Sequence, residues 1–173
     1  MRVFGLAGWS GSGKTTLMTQ LLPALLRRGI SVSTLKHAHH DFDVDQQGKD
    51  SYRHREAGAI EVMVASDRRW ALMHELRGEA EPALDQLLAR MAPVDLVIVE
   101  GFKRGSHPKL EIHRPALGQP LMAPGDPAIV AVASDVALAG LAVPCLALGQ
   151  PDAIAAFIIE HCHIEVSERG AAQ

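Results

Sequence analysis

The sequence lacks the features that mark secreted, membrane-spanning and nucleic-acid-binding proteins. Its two cysteines, Cys145 and Cys162, predict no disulfide framework and fit a reducing cytoplasm. No apolar stretch approaches the roughly 18–20 uninterrupted residues that a membrane-spanning helix needs. The net charge is −3, so no general basic field favours a nucleic-acid partner. These absences leave a cytoplasmic protein with neither a nucleic-acid nor a membrane partner as the expectation.

Length and composition predict one globular domain over residues 1–173. The chain is 47% hydrophobic and 21% charged, which is ordinary for globular proteins and sufficient for one substantial core. The apolar residues after Met1 and Arg2 continue directly into a glycine-rich loop, which is not the pattern of a signal peptide. Residues 166–173 are expected to form a frayed tail.

The most informative motif occupies residues 8–15, which read Gly-Trp-Ser-Gly-Ser-Gly-Lys-Thr. This is the complete G-x-x-x-x-G-K-[ST] pattern of a phosphate-binding loop. Lys14 is expected to reach the β- and γ-phosphates of a nucleoside triphosphate, and the Thr15 hydroxyl to bind Mg²⁺. The positive end of the following helix is expected to favour phosphate at the same place. The backbone N–H groups expected to bind the phosphates are those of Gly8, Ser10, Gly11, Ser12 and Gly13.

The alternation of strands and helices predicts an α/β protein with a three-layer fold, in which helices cover both faces of a mostly parallel central sheet. Pro23 predicts a kink or an early end of the first helix. The alternation of apolar and polar residues over 110–113 predicts an edge strand. Strands are predicted over residues 3–7, 30–36, 61–65, 70–73, 94–99, 110–113, 128–133 and 144–148, and helices over 14–28, 50–57, 82–91 and 152–162.

Two acids flank the most strongly predicted strand, and the geometry of a parallel sheet separates them. Asp95 lies at its beginning and Glu100 at its end, which places them about 16 Å apart at a rise of about 3.3 Å per residue. Ligands of open parallel sheets bind at the carboxyl ends of the strands. Glu100 is therefore the candidate catalytic and metal-side acid that acts on Mg²⁺ directly or through water, the alternative being a solvated acid at a strand end.

A polar stretch after the second strand has the residue types of a metal site. Hard carboxylate oxygens suit Mg²⁺, so one aspartate could bind that ion or position a water. Asp43 is the carboxylate that we name as the candidate catalytic residue of this group. A transition-metal site and simple solvated polarity are the alternatives, since the spacing matches no closed tetrahedral pattern. The stretch contains His37, His39, His40, Asp41, Asp43 and Asp45.

Asp135 follows a late predicted strand and is a candidate for recognising the nucleotide base. A carboxylate there can accept hydrogen bonds from guanine N1–H and N2–H₂, whereas adenine offers no such pair of donors. On spacing alone, Asp135 is equally a helix N-cap.

Together these segments resemble the MobB family, molybdopterin-guanine dinucleotide biosynthesis protein B. The resemblance extends over about the first 135 residues. It implies the P-loop NTPase fold, in the branch that includes dethiobiotin synthetase and the metal-insertion GTPases. It is carried by residues 8–15, 36–45 (KHAHHDFDVD), 48–52 (GKDSY), 57–59 (AGA), 69–73 (RWALM), 99–103 (VEGFK) and 131–135 (AVASD).

The resemblance implies a GTP-binding, weakly hydrolysing homodimer. Such a protein would be an accessory to the MobA-type enzyme that attaches GMP to molybdopterin, and contact with the molybdopterin cofactor itself is possible. By position, the resemblance assigns Glu100 to the Mg²⁺ side and Asp135 to the base. The phosphates and Mg²⁺ would be held by Gly11, Gly13, Lys14, Thr15 and Thr16.

Two other functions are compatible with the same loop. A small-molecule kinase needs an arginine-bearing lid, for which Arg104 and Arg114 are the available residues, although they lack the spacing of a lid pair. A metallochaperone GTPase would use the histidine-rich stretch for nickel or zinc.

Overall fold

The computed structural model describes residues 1–38, 42–102 and 105–166. The chain divides into two compact units, Met1–His37 with Ala92–Gln173 and Ala38–Met91, called here the first and second units. That residues 1–173 form a single domain stays a prediction. In chain order the elements are β1 Arg2–Ala7, α1 Lys14–Leu26, β2 Val32–Lys36, α2 Asp50–Glu56, β3 Glu61–Ala65, β4 Trp70–His74, α3 Leu84–Leu88, β5 Leu96–Glu100, β6 Lys109–His113, β7 Ile129–Ser134, β8 Cys145–Ala147 and α4 Pro151–His161, with 3₁₀ turns at Pro115–Leu117 and Ala123–Gly125.

The first unit is built on a six-stranded sheet in the order β2-β5-β1-β6-β7-β8. Every neighbouring pair in it is parallel, so all six strands present their carboxyl ends at one edge. The predicted α/β class with a parallel sheet is confirmed. β1 and β5, both nearly continuous apolar runs, lie side by side inside the sheet, as expected for strands buried on both faces.

One face of this sheet is covered by α1 and α4, which pack against each other. Leu17, Leu21 and Leu25 recur at the spacing of one helical face and are all buried. They join inward residues of the strands, such as Phe4 and Ile98, in one apolar cluster. The helix continues past Pro23 and ends at Leu26, two residues before the predicted end.

The prediction that β6 is an edge strand is wrong, because β6 lies between β1 and β7. Its alternation does not separate solvent from core, since all five of its residues are buried. Lys109 pairs with Asp126 (Nζ to Oδ2, 3.0 Å), and Glu111 accepts the backbone N–H groups of Met122 and Ala123. Buried charges are tolerated where such partners satisfy them, so polar residues on β6 do not indicate exposure.

The second unit contains α2, α3 and an antiparallel hairpin of β3 and β4. The predicted third and fourth strands are therefore present, but they form a separate two-stranded sheet. The predicted helix over 82–91 is shorter, Leu84–Leu88. Within the described residues, no helix is long and apolar enough to cross a membrane.

Candidate functional site

The loop of residues 8–15 connects β1 to α1 at the carboxyl edge of the sheet, as predicted. Gly8, Gly11 and Gly13 have φ angles of 147°, 78° and 99°, a range that glycine adopts without steric penalty. At Gly8 space is also limiting, because a Cβ built there would lie 2.6 Å from the Ile112 carbonyl oxygen and 2.7 Å from Ser12 Oγ. The three glycines therefore allow the backbone to curl tightly around the start of α1.

Lys14 folds back over this loop. Its Nζ donates to the carbonyl oxygens of Gly8 (2.9 Å) and Trp9 (3.0 Å), which places a positive charge across the mouth of the curled backbone. The buried Ser12 Oγ has no hydrogen-bond partner among the described residues. The Trp9 indole N–H donates to the Pro120 carbonyl oxygen (2.8 Å) and so anchors the loop to the segment that follows β6.

The residues of the loop fit a phosphate group with a bound Mg²⁺. Gly11 and Gly13 have positive φ and carry no side chain that would block a ligand from the backbone. Lys14 supplies a positive charge, and the side chains of Thr15 and Thr16 are exposed in the first turn of α1. This combination of backbone N–H groups, an ammonium group and hydroxyl oxygens matches the chemistry of a phosphate with a hard cation.

Glu100 is the last residue of β5, at the same edge as the loop. It pairs in register with Leu6 of β1, two residues before Gly8, and its side chain is partly buried. The following Gly101 has φ 107°, and a Cβ there would be 2.8 Å from the His37 carbonyl oxygen. Asp95 lies at the opposite end of this strand, where its Oδ2 accepts from Ser31 N and Oγ. The predicted separation of the two acids is confirmed, while the catalytic role of Glu100 stays a prediction.

Asp135 lies directly after β7 and borders a cleft of about 240 Å³ that begins at the phosphate-binding loop. The interpretation of Asp135 as a helix N-cap is wrong, because the next described helix begins at Pro151. The structure thus brings together the loop and Asp135, which are more than a hundred residues apart in the sequence. The cleft is lined by Gly13, Thr16, Leu17, Gln20, Arg114, Asp135, Leu148 and Gly149.

Arg114 joins the loop to Asp135. Its Nε donates to the Ser12 carbonyl oxygen (3.0 Å) and its Nη1 to Asp135 Oδ2 (3.1 Å). Sequence reasoning considered Arg114 only for a kinase lid and missed this position. Its place immediately after a strand, at the edge where ligands bind, is a signal that could have identified it.

Asp43 belongs to an ion-pair cluster of the second unit. Its Oδ2 lies 2.8 Å from Arg55 Nη2, and Arg55 also contacts Asp45 (3.3 Å) and Glu75 (2.8 Å). Hydrogen bonds from the Asp45 N–H and from Arg55 lower the pKa of Asp43. The structure gives Asp43 a partner within its own unit, and its predicted catalytic role stays a prediction.

The histidine-rich stretch is only partly described. His37 packs against the ring of Phe102 at 5.0 Å, whereas His39, His40 and Asp41, like the lid candidate Arg104, lie outside the described residues. Among the residues that the structure does describe, no three His, Cys, Asp or Glu side chains are grouped so that they could hold a metal ion.

Comparisons with known proteins agree on one family. The sequence profile of "Molybdopterin guanine dinucleotide synthesis protein B" (MobB) matches residues 3–135. The "Molybdopterin-guanine dinucleotide biosynthesis adapter protein" of Escherichia coli K12 is 46% identical over 157 residues, which cover 89% of each chain. The protein of the same description from Haemophilus influenzae is 46% identical over 121 residues, 69% of this chain and 67% of the relative.

A solved structure supports the same assignment. The crystal structure of a MobB protein homologue from Bacillus stearothermophilus superposes with a TM-score of 0.67 at 29% identity, over 95% of this chain and 100% of that one. Profile, sequence and fold therefore agree, and this chain belongs to the MobB family.

Proposed function

We propose that this protein is a GTP-binding adapter of molybdopterin-guanine dinucleotide biosynthesis with slow intrinsic GTP hydrolysis. The observation that carries the proposal is that a phosphate-binding loop and an acid suited to guanine border the same cleft. The related proteins described as biosynthesis adapters supply the pathway. The predicted partner is the MobA-type enzyme that attaches GMP to molybdopterin, and the molybdopterin cofactor is a possible further ligand.

In this proposal the loop residues bind the triphosphate. The backbone N–H groups of residues 8–13 surround the phosphate oxygens, and Lys14 exchanges its two carbonyl acceptors for β- and γ-phosphate oxygens. Thr15 and Glu100 would hold Mg²⁺, which neutralises charge on the phosphates. Their hydroxyl and carboxylate oxygens are the donors that this ion prefers.

Asp135 would select the base. Its carboxylate accepts from guanine N1–H and N2–H₂, and the apolar side chains of Leu17 and Leu148 offer contact to the purine ring. Among the described residues that line the cleft, the arginine is Arg114, and its guanidinium bonds to Ser12 and Asp135. This supports slow hydrolysis, because an arginine on the γ-phosphate is worth about 10³–10⁵ in rate.

A homodimer is part of the proposal, supported by the hairpin of β3 and β4. On one side of this hairpin Met63 pairs in register with Leu72, and Ala65 with Trp70, and all four are exposed. An exposed apolar face on a two-stranded sheet is typical of an interaction surface. A cytoplasmic location is likewise proposed, since Cys145 and Cys162 are both free thiols.

Substitution of Lys14 tests the proposal. Lys14→Ala should weaken Mg²⁺-GTP binding about a hundredfold or more, because each charge-assisted hydrogen bond contributes roughly 1.5–3 kcal/mol. The matched control is Arg2→Ala, which removes a charge at the opposite end of β1. Titration calorimetry measures both variants. Equal GTP affinity of wild type and Lys14→Ala would refute the loop assignment.

A second measurement tests the adapter role. The purified chain should capture the GMP-transferring enzyme in a pull-down, and the captured amount should depend on GTP. Labelled γ-phosphate should appear as free phosphate rather than on a small molecule. Its transfer to an acceptor would favour the kinase, and stoichiometric nickel binding that is lost on substitution of His37, His39 and His40 would favour the metallochaperone.

A further inference from the structure

We infer that Arg114 is a specificity-determining residue that orients Asp135 toward the purine base and couples base recognition to the phosphate-binding loop. This inference rests on the proposed function, because it assigns a role within the proposed guanine site. Arg114 directly follows β6, between the strand that carries the loop and the strand that carries Asp135. Its guanidinium donates hydrogen bonds to the loop, at Ser12, and to Asp135.

Two hydrogen bonds define the position of the guanidinium. Nε donates to the Ser12 carbonyl oxygen at 3.0 Å, and Nη1 donates to Asp135 Oδ2 at 3.1 Å. A Cβ built at Gly13 would lie 3.5 Å from Nη2, so the guanidinium occupies space beside this glycine. Because the guanidinium is planar and its donors have fixed directions, the position of Ser12 constrains the orientation of the Asp135 carboxylate.

This arrangement leaves Asp135 able to bind a base. A carboxylate offers about four acceptor sites, of which Arg114 uses one. Among the described residues, Oδ1 of Asp135 accepts no hydrogen bond, whereas Oδ2 accepts from Arg114. Because Arg114, itself bonded to the loop at Ser12, holds Oδ2, the remaining acceptor sites of the carboxylate are available to the N1–H and N2–H₂ donors of guanine.

A purely structural role for the pair is disfavoured by its exposure. The side chains of Arg114 and Asp135 are 38% and 36% exposed, and ion pairs this accessible contribute little to folding stability. Both side chains nevertheless line the cleft beside Gly13 and Thr16. The orientation of the Arg114–Asp135 pair therefore affects a ligand in the cleft more than it affects the stability of the fold.

Nucleotide selectivity tests this inference. Affinities for GTP, ITP, ATP and inorganic tripolyphosphate, each with Mg²⁺, are measured for wild type, Arg114→Gln and Arg114→Lys. Loss of an oriented charge-assisted bond should reduce the preference for GTP over ATP about tenfold or more. Tripolyphosphate affinity should change less than about threefold, because Arg114 bonds to the Ser12 carbonyl oxygen and not to the N–H groups that would face the phosphates. Arg114→Lys should also lose selectivity, because an ammonium group cannot reproduce the two divergent donors.

The matched control is Arg27→Gln, which removes another exposed arginine–aspartate pair, with Asp152, from the end of α1 and should leave selectivity unchanged. In a double-mutant cycle, Arg114→Gln and Asp135→Asn should be non-additive in the GTP-to-ATP ratio. Full selectivity in Arg114→Gln or Arg114→Lys, or strict additivity, would overturn the inference. If wild type itself shows no preference for GTP, the proposed function fails first, so the two failures are distinguishable.

Discussion

Gly8→Ala should destabilise the protein far more than Gly11→Ala, although both glycines lie in one loop at positive φ. A Cβ at Gly8 would approach the Ile112 carbonyl oxygen to 2.6 Å and Ser12 Oγ to 2.7 Å, whereas one at Gly11 would meet nothing within 4 Å. Both variants place an alanine at positive φ, at 147° for Gly8 and at 78° for Gly11, and only Gly8→Ala adds steric overlap. Gly11→Ala is the matched control.

The size of the effect follows from separate contributions. An alanine in an unfavourable backbone region costs about 1–3 kcal/mol, and overpacking against neighbours costs a further 1–3 kcal/mol or so. Alanine also lowers the conformational entropy of the unfolded chain, which offsets about 0.4–1 kcal/mol of this loss. We expect a loss of about 2–5 kcal/mol in the free energy of unfolding for Gly8→Ala, and about 1 kcal/mol for Gly11→Ala.

Urea denaturation followed by circular dichroism measures the difference. With an m-value of about 2 kcal/mol per molar, a loss of about 3 kcal/mol lowers the midpoint by about 1.5 M. Equal midpoints for Gly8→Ala and Gly11→Ala would contradict the view that Gly8 is required by close packing against Ile112. Preserved m-values are needed for the comparison, since they show that the extent of unfolding is unchanged.

Three further outcomes are expected. Leu21 is fully buried, so Leu21→Ala should lower the free energy of unfolding by about 2–5 kcal/mol. Leu26 is 58% exposed, so Leu26→Ala should change it by about 0.5 kcal/mol or less. Similar losses in the two variants would contradict the assigned face of α1. Although burial opposes it, bonding to Lys109 and the Ala128 N–H lowers the pKa of Asp126, so its stabilising effect is present above the unfolded pKa of 3.8 and is lost as pH falls through the folded value. The stability difference between wild type and Asp126→Asn should therefore shrink on acidification below about pH 4, and a difference that stays constant would refute the pairing. Leu72→Arg on the hairpin should dissociate the proposed homodimer in sedimentation experiments, whereas Leu117→Arg, with similar exposure (41% against 43%), should not; a dimer that survives Leu72→Arg would show that this hairpin face is not the interface.

The predictions that held depend on neighbouring residues in the sequence. The loop of residues 8–15 lies between β1 and α1 because an apolar run, three glycines and a helical pattern follow one another directly. The edge that carries Glu100 could be predicted because chain direction alone determines the end of a parallel strand.

The features that were missed depend on residues distant in the sequence. Lys109 can be buried because it pairs with Asp126, and Glu111 because it accepts the N–H groups of Met122 and Ala123. The residues next to β6 in the sequence do not indicate these partners. Likewise, the pairing of Arg114 with Asp135 spans 21 residues and depends on β6 and β7 being neighbours. The sequence pattern could name candidate residues for the site, but it could not predict the order of the strands that brings them together.

Trp9, whose indole N–H bonds to the Pro120 carbonyl oxygen, gives the loop of residues 8–15 its own fluorescence signal. The chain has two tryptophans, Trp9 in the first unit and Trp70 in the second. In a Trp70→Phe background the remaining indole emission comes from the loop alone, and in Trp9→Phe it comes from the hairpin alone. Each unit thus contains one tryptophan, so ligand binding at the loop and unfolding of either unit can be followed separately by indole emission without an added label.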